Sequence, residues 1–142
     1  MSGKYLDNFT KVPVNKFFRY TWISRSPDGA EISMEARPEY AQETGVVQGG
    51  ILSAIADTAA VYAFLPDLKD YRQMTGIEFK MNFLRPAKPD EGPIAARSKI
   101  LRRGRTIGVC EVELTQGGKS VAKGTFTYMF LNTSDADRAG KE

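Results

Sequence analysis

The groups in this sequence with the means to do chemistry gather in one stretch, Gly45 to Leu65, which reads GVVQGGILSAIADTAAVYAFL. Its opening is rich in glycine, and from Ile51 onward only Ser53, Asp57, Thr58 and the Tyr62 hydroxyl are polar. That pattern predicts a glycine turn feeding one buried helix. Adjacent glycines let a ligand come close to the backbone, and the first N–H groups of a helix have no partner within it. The Gly49–Gly50 turn therefore offers a place for an anion or a developing oxyanion. Asp57 is the one formal charge in the helix. An aspartate in mid-helix ordinarily faces water. Here the residues on its face, at i−4, i+3, i+4 and i+7, are Ser53, Ala60, Val61 and Phe64, which suit a cleft or a subunit interface better than solvent. Burial there would raise the carboxyl pKa and fit it to act as a base.

Spacing adds a constraint. Gly49 and Asp57 are eight positions apart, about 12 Å along a helix, so one substrate carbonyl cannot touch both in one chain. Two copies of the helix, side by side and antiparallel about a two-fold axis, bring them together. The motif thus predicts a homodimer with shared sites.

What is missing narrows the chemistry further. The chain has no histidine, which excludes Ser-His-Asp and Cys-His catalysis and any histidine-based metal site. Cys110 is the only cysteine, so neither an internal disulfide nor a thiolate cluster can form. It reads as a small buried strand residue. Carboxylate, amide, hydroxyl and backbone groups remain, and neither a metal nor a separate cofactor is expected.

The elements that position these groups are legible in outline. Residues 1–15 read as a loosely ordered lead-in. KFFRYTWISRS, residues 16–26, reads as a strand from its aromatic and β-branched content. The Pro27-Asp28-Gly29 turn reverses it into AEISMEAR, and Pro38 ends that hairpin. After the helix, GIEFKMNFL alternates Ile77, Phe79, Met81 and Phe83 with polar residues, predicting one core face and one polar face. Two further strands follow, roughly 93–102 and 106–115, joined at Arg103-Gly104-Arg105. The Gly117-Gly118 turn leads into a last strand, SVAKGTFTYMFL, in which Gly124 predicts a bulge or a close contact with the helix. The tail from Asn132 reads as frayed. One α+β domain over 1–142 results, with a sheet of about six antiparallel strands and one helix laid across it. A helix apolar on nearly all sides needs more cover than one sheet face, and a partner subunit would supply it.

Composition agrees with a globular domain. Hydrophobic residues make up 42% and the formal net charge is +3 with both signs interspersed, so nucleic-acid binding is not indicated. No signal-peptide-like run opens the sequence, and the longest apolar stretch is short and carries Asp57. A cytoplasmic protein with no membrane association is expected.

The motif G-V-V-Q-G-G-I-L-S-A-I-A-D-T-A-A, the strand E-F-K-M-N-F-L-R-P-A and the late turn G-G-K-S-V-A-K-G together resemble the hotdog-fold acyl-CoA thioesterases, in particular the phenylacetyl-CoA thioesterase-like branch, over about residues 16–131. The resemblance implies a hotdog fold, with the sheet wrapped around one central helix. It implies that the Gly49 amide polarises the thioester carbonyl and that Asp57 of the opposite subunit acts as general base or nucleophile. Gln48 stands where many members carry histidine; it can hydrogen-bond but cannot shuttle a proton at neutral pH. Gln42 falls where relatives place an Asn or Gln that positions water or the carboxylate, and Thr75 near a Ser or Thr that orients water. Relatives also place basic residues to meet the phosphates of coenzyme A, for which Arg85, Lys88, Arg102, Arg103 and Arg105 are the candidates.

The chemistry tolerates the missing histidine, because a thiol of pKa about 8.5 leaves without being protonated. The demanding step is attack on the carbonyl, which needs an oxyanion donor and a base. A fatty or aromatic acyl-CoA thioesterase, dimeric or tetrameric, is the leading expectation. A non-catalytic acyl-CoA binding module of the same fold is the alternative.

Overall fold

A computed structural model describes residues 3–68 and 73–131. Six strands, β1 (Thr21–Ser26), β2 (Gly29–Met34), β3 (Met74–Phe83), β4 (Ile94–Arg103), β5 (Ile107–Gln116) and β6 (Lys119–Phe130), form one sheet in the order β1-β2-β4-β5-β6-β3. Every neighbouring pair is antiparallel. A single long helix, α3 (Gly49–Phe64), crosses one face over β2, β4 and β5. The interface is dry: Ile32, Ile94, Val112, Leu114 and Phe126 of the sheet and Ile55, Ala59 and Phe64 of the helix are essentially fully buried. Alanines at 56, 59, 60 and 63, all without exposure, let the helix lie close to the strands. Ser98, buried on β4, donates to the Ala59 carbonyl at 2.8 Å and so pins the helix in mid-span.

Two segments differ from the sequence-based expectation. The lead-in is packed: α1 (Gly3–Asp7) lies against the 3-10 turn Leu65–Asp67 that follows α3, and a 3-10 turn at Phe9–Lys11 and α2 (Pro13–Phe17) meet Tyr62 of α3 through Phe9 and Asn15. Phe9 is 1% exposed and meets the rings of Trp22 and Tyr62 edge-on. The first part of KFFRYTWISRS is therefore helix. Pro13 at the first helical turn presets φ for α2, and Arg19 at φ 56° ends it in the left-handed region and turns the chain into β1. Aromatic content marked the segment as strand, but these caps decided otherwise. The tail expected to fray from Asn132 lies outside the described residues.

The second difference concerns β3, which crosses to the far edge and pairs with β6 instead of its successor β4. The connection after it carries Pro86, Pro89 and Pro93, which cannot donate to a hairpin ladder. Gly124 answers this pairing, because a Cβ there would lie 2.4 Å from the Lys80 carbonyl oxygen; the close contact is with β3, not the helix. At the edge, beyond the cover of α3, the apolar face of β3 stays open. Phe79 and Phe83 are 52% and 54% exposed, so the face expected to be core is core only in part.

Candidate active site

Gly49 opens α3, and the Gln48 side chain makes no cap hydrogen bond. The Gly49 and Gly50 N–H groups have no acceptor among the described residues, the state expected of the first helical donors. A Cβ at position 49 would stand 3.0 Å from Phe83 Cζ, so any larger residue there would have to displace the half-exposed Phe83 ring. Gln48 is exposed and its side chain folds back towards Gly50. In the loop before, the Gln42 carbonyl oxygen Oε1 accepts from the Thr44 hydroxyl at 2.8 Å and from the Thr44 N–H. Gln42, Gly49, Leu52, Phe83 and Arg85 line one recess of about 360 Å³, so the structure does bring Gln42, the glycine turn and one arginine together.

Asp57 sits two turns along, in a different place. Its carboxylate is exposed in the single chain, at the mouth of an apolar cleft of about 550 Å³ between α3 and the N-terminal segment. One oxygen, Oδ1, accepts a 2.6 Å hydrogen bond from the Tyr128 hydroxyl, which also lies 3.3 Å from the Asp57 carbonyl oxygen. The other oxygen has no partner among the described residues. Burial, and after it the negative charge of Asp57, hold the Tyr128 phenol in its protonated form well above the ordinary range. Tyr128 is thus a fixed donor that orients the carboxylate and leaves one oxygen free.

Tyr128 did not emerge from sequence reasoning. The signal was present, since the alternation TFTYMF puts Phe126 and Tyr128 on the helix side of β6, and a buried tyrosine hydroxyl usually finds a partner. What was missing was the register that sets it under Asp57.

Other predicted residues are placed less centrally. Thr75 pairs with Met129, whereas Gly76 pairs with Tyr128. Cross-strand partners share a face, so Thr75 points to the side of the sheet away from α3, and its hydroxyl is not brought to Asp57 of the same chain. The five basic residues separate into two groups. Arg85 and Lys88 lie at the start of α3, lining a small recess with Glu91 and Gln116. Arg102, Arg103 and Arg105 are at the other end of the helix, about 24 Å away for its 16 residues. There Arg103 is already engaged, 3.1 Å from Asp67 Oδ2 and with its guanidinium 5.3 Å from the Phe64 ring centroid. Arg25 completes that cluster: nearly buried, it donates to the carbonyls of Tyr62 and Ala63 and to Asp67, capping the helix C-terminus. Cys110 is fully buried, and burial pushes its thiol up to about 12, which leaves it inert. No group of metal-ligating side chains occurs among the described residues.

A six-stranded antiparallel sheet curled over one long helix that opens on bare glycine amides defines a hotdog-fold protein. Solved structures of that class superpose on it: a thioesterase of Haemophilus influenzae at TM-score 0.81 and 21% identity, over 93% of this chain and 92% of that one, which shows the common fold. A provisionally named, phenylacetic acid degradation-related thioesterase of Ralstonia eutropha matches at TM-score 0.79 and 28% identity, over 88% and 98%. The family model of the thioesterase superfamily matches residues 44–123, and a Saccharolobus solfataricus protein carrying a provisional esterase name is 30% identical over 83% of each chain. The chain belongs to the thioesterase superfamily.

Proposed function

We propose that this protein hydrolyses acyl-CoA thioesters as a homodimer, or a dimer of such dimers, with each active site built from two protomers. The observation that carries this reading is the pairing, on one helix, of two unengaged N–H groups with a carboxylate oriented by a buried tyrosine. Family members are named for thioester and ester hydrolysis, and these two features are what that chemistry demands.

In this reading the thioester carbonyl accepts a hydrogen bond from Gly49 N–H of one protomer, where negative charge develops on the oxygen during attack. The free Asp57 oxygen of the partner takes a proton from an attacking water, or attacks the carbonyl itself to give a mixed anhydride that a water hydrolyses once the thiolate has left. The tetrahedral species collapses by breaking the carbon–sulfur bond, and the CoA thiolate leaves without an acid. Gln48 and Gln42 border the oxyanion site as hydrogen-bonding residues. Arg85, which shares a recess with Gly49, is better placed for the CoA phosphates than Arg103, whose charge is already met by Asp67, or Lys88, which lies 3.8 Å from Glu91. The open apolar edge at β3 supports the dimer, because a second copy pairing there would cover Phe79 and continue the sheet.

The test is free-thiol release from a panel of acyl-CoAs by wild type and Asp57→Asn. Loss of kcat by about 10²–10⁴ in a variant that keeps its fold is expected for removal of a general base; full activity in Asp57→Asn sinks the proposal. Gln48 in the usual histidine position favours a second reading, an acyl-CoA binding module. Tight binding by calorimetry with no thiol release from any substrate would select it.

A further inference from the structure

We propose that the cleft between α3 and the N-terminal segment holds the acyl group, and that its form selects an unbranched aliphatic chain of medium length over an aromatic acyl group. The proposal rests on the thioesterase reading for the position of the thioester, and on the cleft itself for the ligand.

The cleft begins at Asp57 and follows one stripe of the helix through Val61 to Leu65. These residues repeat every four positions, so the stripe is about 12 Å long. The facing wall is Val12 and Val14, held by the packed lead-in rather than by the sheet. At the far end the Tyr5 hydroxyl lies 3.4 Å from the Leu68 carbonyl oxygen. The polar groups of the floor are committed: the buried Asn15 amide donates to the Phe9 carbonyl at 3.0 Å and to the Tyr62 hydroxyl at 3.3 Å. Apart from Asp57 and Thr58 at the mouth, a ligand running down the cleft meets the branched aliphatic side chains of the three valines and Leu65, together with Tyr5, Tyr62, Asn8 and Asn15.

A thioester carbonyl placed beside Asp57 would send its acyl chain along Val61 towards Leu65. An extended aliphatic chain removes that whole stripe from water, and each methylene adds apolar contact. A phenyl or phenylacetyl group is wider and shorter. It would reach the turn at Val61 and leave the Leu65 end wet. The difference between acyl groups is therefore made in the second turn of the stripe.

The experiment measures kcat/KM for acetyl-, butanoyl-, octanoyl-, palmitoyl- and phenylacetyl-CoA on wild type, Val61→Phe and Leu65→Trp, with thermal melts to confirm folding. Octanoyl-CoA should be the best substrate of wild type. Val61→Phe, which blocks the stripe near its mouth, should lower the octanoyl-to-acetyl ratio at least tenfold, and Leu65→Trp should penalise palmitoyl-CoA more than butanoyl-CoA. A wild type that prefers phenylacetyl-CoA, or ratios unmoved in both folded variants, overturns the assignment of the cleft. If no thioester is cleaved, the catalytic reading fails separately. Calorimetry of octanoyl-CoA and acetyl-CoA with the same variants then decides the cleft: octanoyl-CoA binding weakened by Val61→Phe upholds it, and equal binding of the two overturns it.

Discussion

The two edges of the sheet are finished in opposite ways. At β1 the strand has only six residues, is bulged between Trp22 and Ser24, as β3 is between Gly76 and Glu78, and has its inner side closed by Phe9 packing on Trp22. Short, irregular, covered edges are how sheets avoid pairing with other chains. At β3 the strand has ten residues and carries Ile77, Phe79 and Phe83, each about half exposed. Its only strand partner among the described residues is β6. Each edge strand has a single strand partner among the described residues, but the inner face of β1 is covered by the N-terminal segment and that of β3 is left as apolar surface. The comparison teaches that the lead-in and the expected second subunit do the same job at different places, each covering what one helix cannot.

Several substitutions would break or sharpen this contrast. Phe9→Ala should strike hardest, costing about 3–5 kcal/mol in chemical denaturation while leaving the oligomeric state of the folded fraction intact. A loss below about 1 kcal/mol would mean that the β1 edge does not depend on the lead-in. Phe79→Lys places a charge on the open edge. It should weaken self-association by about 2 kcal/mol, roughly thirtyfold in Kd, seen by sedimentation as a shift to monomer with activity falling in parallel. Unchanged sedimentation would remove β3 as the interface.

Tyr128→Phe lies on β6, one strand in from that edge, and should separate positioning from assembly. Loss of a hydrogen bond to a charged group is worth about 1.5 kcal/mol, so kcat should drop about tenfold with KM and sedimentation unchanged. A change confined to the melting temperature would make Tyr128 a packing residue only. Smallest of all, Ile23→Lys on the β1 edge, although Ile23 is 49% exposed, should alter stability by no more than about 0.5 kcal/mol and leave self-association untouched.

The candidate site was legible in the sequence to differing depths, for physical reasons. Gly49 and Asp57 were visible because helix geometry is local: a count of eight residues converts directly into a distance, and α3 is one unbroken helix over that span. Gln42 was placed through resemblance, and the structure sets it in the same recess as Gly49. Thr75 and the scattered arginines were harder. Which face a strand residue takes depends on register, and the bulge between Gly76 and Glu78 in β3 makes counting along the strand unreliable. Charges near one another in sequence parted because β4 carries its two ends to opposite ends of α3.

The amino-acid sequence by itself determined the elements whose periodicity is internal to them: an apolar helix opening on glycines, a two-stranded hairpin before it, and amphipathic strands after it. It also limited the chemistry, since a chain without histidine and with a single cysteine has no imidazole base and no thiol pair to offer. Tertiary structure alone decided what depends on contacts distant in sequence. It carried β3 to the far edge, folded residues 5–18 into a wall for the cleft beside Asp57, and set Tyr128, 71 positions away, under its carboxylate. Those contacts are specified by the packing of many side chains at once, which no spacing within a single stretch encodes.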